Sequence, residues 1–167
     1  MSIKWNDDET ALNNFVAWIQ GKTGYAAVDA SMGQIAKIGW MHNRSRMMVA
    51  SILTKNLGVN WRWGQDYFRY ALLDLDESAN NGGWQWAASV GSDPKPIRIF
   101  NPYLQSDNYD ADFSYQKKWL PKDSYRIINI KNKQILEYKI KPIIDHKVAR
   151  NQALIRYGLE NQVARDY

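Results

Sequence analysis

The sequence predicts an all-α fold, a bundle of helices packed around one hydrophobic core. Apolar residues recur at helical spacing through most of the first 90 residues, and short breaks rich in Gly, Pro and Asn separate these stretches. Hydrophobic residues make up 45% of the 167 residues and charged residues 23%, as in ordinary globular domains. With no internal repeat or low-complexity linker, we expect one domain over residues 1–167.

Five helices are predicted before Pro94, each with a common capping residue near one end. The first is expected to begin at Asp7 or Asp8 and to end near Gln20. The other four are expected at residues 28–38, 42–56, 64–73 and 78–89, with Gly39 and Gly58 ending the second and third. The apolar stripe of the first helix is predicted to consist of Leu12, Phe15, Val16 and Ile19.

The segment after Pro94 and Pro96 is expected to be rich in loops, with one short helix near residues 113–119. Residues 122–141 are ambiguous. Residues 125–130 and 134–140 are compatible with strands, but the helical surroundings make irregular structure equally compatible. A closing helix is predicted from Asp145 to about Arg165.

The composition excludes several classes of site. The chain has no cysteine, and two histidines, His42 and His146, are too few for a histidine-built site, so no metal is expected. No apolar run is long enough to span a bilayer and no leader sequence is visible, so we expect a cytoplasmic protein without a membrane partner.

Positive charge is concentrated towards the C-terminus. Residues 117–167 contain 12 Lys and Arg against 5 Asp and Glu, whereas residues 1–116 contain 10 against 12. The basic segment is compatible with a polyanionic partner and equally with an ordinary solvated surface. A nucleic-acid surface in the central region would therefore depend on a few well-placed arginines.

Tryptophan is unusually frequent, with eight in the chain. Four of them form two pairs of spacing two, Trp61 with Trp63 and Trp84 with Trp86. Residues two apart point to nearly opposite faces of a helix, so each pair should send one ring inward and the other to a different surface. Most such rings are simply core.

Two predicted helix faces combine residue types that suit a ligand. Asn43, Arg46 and Met47 share one face of the third helix by their spacing. Asp76, Asn80 and Trp84 are spaced four apart along the fifth helix, just after Asp74, and these two faces suit a large flat ring with many hydrogen-bonding edges. The structural alternative is a buried Arg46–Asp74 ion pair surrounded by satisfied amides.

Six segments in order resemble the flavin domain of the DNA photolyase and cryptochrome family. They are residues 18–30, 39–47, 80–86, 98–102, 119–121 and 142–150. The run NNGGWQW at 80–86 is similar to the class I photolyases that repair cyclobutane pyrimidine dimers, more than to cryptochromes or the (6-4) branch. The resemblance implies that the helical bundle corresponds to the C-terminal part of the FAD-binding domain.

The resemblance also implies a chemistry and a set of cofactor-binding residues. Family members hold FAD in a helical domain and transfer a light-excited electron to a pyrimidine dimer flipped out of DNA. Arg46 and Asp74 resemble a salt bridge near the flavin ring, and Asn80 resembles the amide beside flavin N5 that favours reduced flavin. The cofactor-binding candidates are Asn43, Arg46, Asp74, Leu75, Asp76, Asn80 and Trp40.

Further residues resemble the electron-transfer and DNA-binding positions of the family. Trp84, Trp61 and Trp5 resemble the inner, middle and outer members of a tryptophan chain that delivers electrons to the flavin. The candidates for binding dimer-containing DNA are Asn43, Arg44, Met47, Trp86, Arg98 and Gln105. A flipped base needs an aromatic or apolar wall, here Trp86 and Met47, together with a phosphate contact, here Arg44.

The sequence also departs from the family pattern. Segments expected before this region are not seen: an α/β antenna domain, the first helices of the flavin domain and a phosphate-binding loop. Ala26, Gly33 and Lys122 replace residues common in the family. Three interpretations stay open: a fragment of a repair enzyme, inactive alone; a non-catalytic interaction module; and a split photolyase with a partner chain or second copy covering an exposed apolar edge.

Overall fold

The structure is a computed structural model that describes residues 3–92, 97–131, 133–161 and 167. Helices account for most of it, and one antiparallel hairpin lies near the C-terminal end. The helices are α1 (Glu9–Ile19), α2 (Ala26–Ile38), α3 (Asn43–Ser51), α4 (Trp61–Ala71), α5 (Glu77–Ala87), α6 (Pro102–Tyr109), α7 (Ser114–Trp119) and α8 (His146–Arg156). A π-helical turn, Ile52–Asn56, continues α3 directly, and the strands are β1 (Tyr125–Ile130) and β2 (Lys133–Tyr138).

Short polar side chains fix where most helices begin. Asp8 accepts a hydrogen bond from the Ala11 amide at 2.8 Å, which confirms the predicted start of α1. Asn60 caps α4 in the same way, so this helix begins three residues earlier than the expected start at residue 64. The second helix ends as predicted at Gly39, whose φ of 63° lies in the left-handed region.

The predicted helical character is confirmed, but the fold is not all-α, because β1 and β2 form a two-stranded antiparallel sheet. Ile-rich alternating segments flank a turn at Lys131, whose positive φ reverses the chain. The short helix expected near residues 113–119 is present as α7, but the described segment from residue 97 onwards contains more regular structure than expected. The missed helix α6 begins at Pro102, where a proline is tolerated because the first helical N–H has no intrahelical partner.

Two other expectations need correction. The structure ends α8 at Arg156, followed by Gly158 at φ 65°, whereas the sequence predicted a helix to about 165; residues 162–166 lie outside the described part. On α1, Leu12 and Val16 are exposed while Ala11 and Trp18 are buried. The inward face of α1 is therefore rotated relative to the predicted stripe.

The main core lies between α1–α5 and is rich in aromatic rings. Trp18 is fully buried and stacks against Phe68 and Phe15, with ring centroids 6.2 Å and 5.9 Å away. A smaller apolar cluster joins α8 to the strand-like segment around Ile99. Within the described residues, no helix combines the length and the apolar character needed to cross a bilayer.

Candidate functional site

A cleft of about 290 Å³ opens between α3, the end of α4 and α5. It exists because the short loop 72–76 between α4 and α5 brings two acidic residues to the exposed side of α3. Six of the seven predicted cofactor-binding residues line it, namely Asn43, Arg46, Asp74, Leu75, Asp76 and Asn80. The cleft therefore brings together residues that the sequence separates by more than 30 positions.

Arg46 and Asp74 form an ion pair at the edge of this cleft. One guanidinium nitrogen, Nη2, lies 3.0 Å and 2.8 Å from the two carboxylate oxygens, and Nε donates to the Met41 carbonyl oxygen at 2.7 Å. The side chains are 24% and 47% exposed, so the pair is not the buried one of the structural alternative. Exposed ion pairs contribute little to the free energy of unfolding. The main effect of this pair is therefore to hold the two side chains in position.

Asn80 and Asp76 come from the first two turns of α5 and have defined partners. Asp76 caps the helix by accepting from the Ala79 amide at 2.7 Å. Asn80 is buried, and its Nδ2 donates to the Gln65 carbonyl of α4 at 3.1 Å. This bond fixes which end of the amide faces α4, so the acceptor oxygen lies on the other branch of the side chain.

Trp84 lies one turn beyond Asn80 and lines the same cleft while being only 2% exposed. Its ring contacts Phe68 at 5.0 Å and Trp18 at 6.1 Å, both in edge-to-face geometry. Its indole Nε1 is buried and has no hydrogen-bond partner among the residues that the structure describes. A buried N–H without an acceptor carries a free-energy cost.

The other two candidates for electron transfer lie elsewhere. Trp61 is buried at the start of α4, with the Arg62 guanidinium 4.8 Å from its ring centroid. Trp5 is partly buried and meets Tyr157 edge to face at 6.3 Å. In the described part of the chain, Trp61 makes no ring contact with either Trp84 or Trp5.

Five of the six predicted DNA-binding residues divide between two clefts, and Arg98 lines neither of them. Asn43, Met47 and Trp86 line the cleft already described, so Trp86 shares that cleft with Trp84 instead of facing a separate one. Arg44 and Gln105 line a second cleft of about 300 Å³ between α3 and α6. The Gln105 Oε1 atom is buried, and no hydrogen-bond partner for it lies in the described part of the chain.

Aromatic rings lie beneath the two arginines among the predicted DNA-binding residues. The guanidinium of Arg44 lies over the Tyr109 ring at 3.9 Å, and that of Arg98 lies over the Trp86 ring at 5.0 Å. Trp40, the seventh cofactor candidate, does not line the main cleft. It is exposed just after Gly39, with its ring 6.5 Å from His42.

Sequence reasoning missed part of the cleft. Phe68 and Leu72 of α4 and Gly83 of α5 also line it. Gly64 lies against Trp84, because a Cβ atom there would be 2.1 Å from the indole. Gly64, Phe68 and Leu72 are four apart, so their shared face was visible in the sequence, but α4 was not considered as a wall of the site.

Comparisons with known proteins agree with this geometry. The family profile described as the FAD binding domain of DNA photolyase matches residues 1–158. Deoxyribodipyrimidine photo-lyase of Synechococcus is 50% identical over 129 residues, covering 77% of this chain and 26% of that protein. Its counterpart in Vibrio cholerae is 52% identical over 118 residues, covering 70% of this chain and 24% of the relative.

A solved structure shows the same fold. The archaeal photolyase of Sulfolobus tokodaii, described with two FAD molecules, is 33% identical, with a TM-score of 0.79 over 94% of this chain and 36% of that one. This chain thus spans about a quarter to a third of the length of the proteins it matches. Because the matched family, the shared fold and the residues of the cleft agree, this chain belongs to the family of the FAD-binding domain of DNA photolyases.

Proposed function

We propose that this chain forms the flavin-facing side of an FAD site used in light-driven repair of cyclobutane pyrimidine dimers in DNA. The observation that supports it most is the first cleft, the one between α3, the end of α4 and α5. It gathers an ion pair, a buried amide and a buried indole around a space of about 290 Å³. Sites for cofactors usually combine apolar walls with a few placed polar groups in this way.

The residues present fit a flat, hydrogen-bonding cofactor. Trp84 supplies an indole ring at the wall of the cleft. Gly83 faces open space, with no atom within 4 Å of the position that a Cβ would take, so its backbone leaves a flat stretch of wall. Phe68, Leu72 and Leu75 provide apolar surface for a ring.

Each polar residue of the cleft would have a distinct task. The Arg46 guanidinium, held by Asp74 and the Met41 carbonyl, places a fixed positive charge at the cleft edge. The Asn80 amide, held by the Gln65 carbonyl, presents an acceptor to an N–H of the ring. FAD would supply light absorption and the reducing electron, while these side chains orient it and tune its electronics.

The DNA partner is proposed on the second cleft and on Trp86. Arg44 and Arg98 are guanidiniums preorganised over aromatic rings, an arrangement suited to phosphate contacts. Gln105 lines the second cleft together with Arg44. Trp86 and Met47 would supply the stacking wall for an extruded base. The cytoplasmic location of the protein remains a prediction.

A partner is part of this proposal because the matched proteins are much longer. The chain corresponds to 26% of the Synechococcus photo-lyase and to 24% of that from Vibrio cholerae. No phosphate-binding loop was recognised in the sequence. We therefore expect tight FAD binding only when further helices, from a partner chain or a longer form of the protein, complete the cleft.

The test is complementation between this chain and a relative. The Synechococcus photo-lyase, truncated before its matching segment, is co-expressed with this chain, and flavin absorption of the co-purified complex is recorded. We expect flavin in the complex and weak or no binding by this chain alone. Each charge-assisted hydrogen bond contributes about 1.5–3 kcal/mol, so several missing bonds lower the affinity of the isolated chain for FAD by several powers of ten.

Arg46→Gln and Arg69→Gln form a matched pair for this test. Arg69 also makes exposed ion pairs, with Asp66 and Glu77, but it does not line the cleft. We expect Arg46→Gln to weaken flavin retention by about tenfold or more, as for one lost charge-assisted bond. A complex that forms without flavin, or equal effects of the two variants, would favour a non-catalytic interaction module.

A further inference from the structure

The aromatic neighbours of Trp84 differ from those that its sequence resemblance implies. Its two ring contacts are Phe68 and Trp18, at 5.0 Å and 6.1 Å between centroids. Phenylalanine is very hard to oxidise, whereas tryptophan and tyrosine lose one electron at accessible potentials. Trp18 is therefore the redox-active ring in direct contact with Trp84.

Trp18 is suited to pass an electron on and not to trap a radical. It is fully buried, and its Nε1 donates to the Val49 backbone carbonyl at 3.0 Å. A carbonyl oxygen is a hydrogen-bond acceptor but a very weak base, so an oxidised Trp18 keeps its proton. The protonated radical stays a strong oxidant and draws an electron from a neighbour.

Tyr67 of α4 is the oxidisable neighbour of Trp18. The two rings meet edge to face at 5.6 Å, and Tyr67 is partly exposed. Burial raises the pKa of Tyr67, so the neutral phenol is the form present at neutral pH. A phenol at a partly exposed position can release its proton to water when it is oxidised, which makes that step favourable.

We propose that Trp18 and Tyr67 form a second electron-donating branch to Trp84, separate from Trp61 and Trp5. One electron leaves Trp84 for an excited oxidant, one passes from Trp18 to Trp84, and one passes from Tyr67 to Trp18. Tyr67 gives its proton to water and becomes a neutral tyrosyl radical, while the oxidant is reduced by one electron. The inference rests on the proposed function, in which photoexcited flavin is the oxidant.

Another route from Trp18 leads to Trp63 but is less favourable. Phe15 lies between them, 5.9 Å from Trp18 and 5.4 Å from Trp63. Because Phe15 cannot hold the charge, an electron on this route must tunnel past a whole ring. Tyr67 contacts Trp18 directly, with no ring between them.

The test supplies its own oxidant and so does not depend on FAD binding. The chain has no cysteine, and Gly83 lines the cleft with open space around its Cβ position. Gly83→Cys therefore gives a single attachment point for a ruthenium polypyridyl label beside Trp84. After a laser flash with a soluble cobalt(III) electron acceptor, the oxidised label withdraws an electron, and transient absorption follows tryptophan and tyrosyl radicals.

We expect a tryptophan radical that decays into a tyrosyl radical. Tyr67→Phe, which removes one hydroxyl, should abolish the tyrosyl signal and lengthen the life of the tryptophan radical. The matched control is Tyr70→Phe on the next turn of α4. Tyr70 is 90% exposed, and among the described residues the tyrosine ring in contact with Trp18 is that of Tyr67. Tyr70→Phe should therefore leave both radical signals unchanged. Trp18→Phe should also abolish the tyrosyl signal.

Two results would overturn the branch. The first is a tyrosyl radical of unchanged yield in Tyr67→Phe, and the second is an unchanged yield in a folded Trp18→Phe. Because Trp18 is fully buried, its variant is checked by circular dichroism, and Tyr67→Phe alone decides the matter if Trp18→Phe does not fold. Because the ruthenium label supplies the oxidant, the tyrosyl radical yield can be measured in both variants even if the complementation test shows no flavin binding.

Discussion

At the scale of single residues, the position of Trp84 depends on a glycine in the neighbouring helix. A Cβ atom on Gly64 would lie 2.1 Å from the Cη2 atom of the indole, far inside any real contact. Glycine in a helix interior ordinarily costs about 1 kcal/mol relative to alanine. Here the missing side chain allows α4 and α5 to approach closely enough to bury Trp84 beside the cleft.

Gly64→Ala should therefore destabilise the protein even though alanine favours a helix. Overpacking a filled core costs about 1–3 kcal/mol, which exceeds the gain of about 0.5–1 kcal/mol in helix propensity. The matched control is Gly82→Ala in α5, whose added Cβ has no atom within 4 Å. Thermal unfolding should show a loss for Gly64→Ala and a small gain for Gly82→Ala; two gains would mean that the α4–α5 contact is looser than described.

Trp84 and Trp86 line one cleft, but they differ in burial and should differ in role. In the flavin-loaded complex we expect Trp84→Phe to abolish photoreduction of oxidised flavin and to spare repair by chemically reduced enzyme. Trp86→Ala should leave photoreduction intact and weaken binding of dimer-containing DNA by about 1–3 kcal/mol, the contribution of one stacking platform. Photoreduction, DNA binding and the melting temperature are measured for both. If both variants lose stability equally, and photoreduction and DNA binding are not affected separately, both rings serve only as core residues.

At the scale of elements, the hairpin is joined to the helical body through one buried carboxylate. Asp29, in the first turn of α2, accepts from the Thr23 amide and hydroxyl, the Gly24 amide and the Tyr138 hydroxyl of β2, all at 2.6–3.0 Å. Burial raises the pKa of Asp29, while the bonds from Thr23 and Tyr138 act in the opposite direction. The turn before α2 and the hairpin are thus held at the same point.

Tyr138→Phe should loosen the hairpin while keeping the ring. It removes one bond to a carboxylate, and such bonds contribute about 1.5–3 kcal/mol. Asp29→Asn should cost more, because its amide nitrogen would face groups that are themselves donors. The control is Arg126→Gln, which breaks only the exposed pair with Glu137 and should change stability by less than about 1 kcal/mol. Thermal unfolding of the three variants tests this order of stability losses. A loss for Arg126→Gln as large as that for Tyr138→Phe would contradict it.

At the scale of the whole molecule, several large apolar side chains are exposed near the cleft wall. Leu73 precedes Asp74, is 86% exposed and donates its amide hydrogen to the Gly39 carbonyl at 2.9 Å. Ile38 and Trp40, on either side of Gly39, are also exposed. These three residues, the Leu73 patch, would be covered by the partner helices of the proposed function, since exposed apolar patches commonly mark interaction surfaces.

Leu73→Gln should weaken the association proposed for this surface. Burying a leucine contributes about 1.5–3 kcal/mol, so the association constant should fall about tenfold to a hundredfold. Ile155→Gln on α8 is the control, because Ile155 is also apolar and exposed but lies outside the Leu73 patch. Light scattering against concentration, and complementation with the truncated relative, measure the effect. A strictly monomeric chain that complements equally well with Leu73→Gln would exclude this surface.

Much of the helical bundle and most of the cleft could be predicted from the sequence. Asp8 and Gly39 act through local backbone hydrogen bonds, so start and stop signals of this kind are visible in the residues themselves, whereas the cap at Asn60 was missed. Helix α6 was missed because Asn101–Pro102 is typical both of a turn and of a capped helix start. The hairpin was left ambiguous because short Ile-rich runs fit either a strand or a buried helix.

The sequence by itself determined the family, the helical character and the chemical types of the cleft residues, because caps, spacing and ordered motifs are local properties of the chain. Only the tertiary structure decided which residues meet. It paired Arg46 with Asp74 at an exposed edge, placed Trp86 in the same cleft as Trp84 and brought Trp18 against the indole. The physical reason is that helix approach depends on packing between distant positions, such as Gly64 against Trp84, which no local pattern encodes.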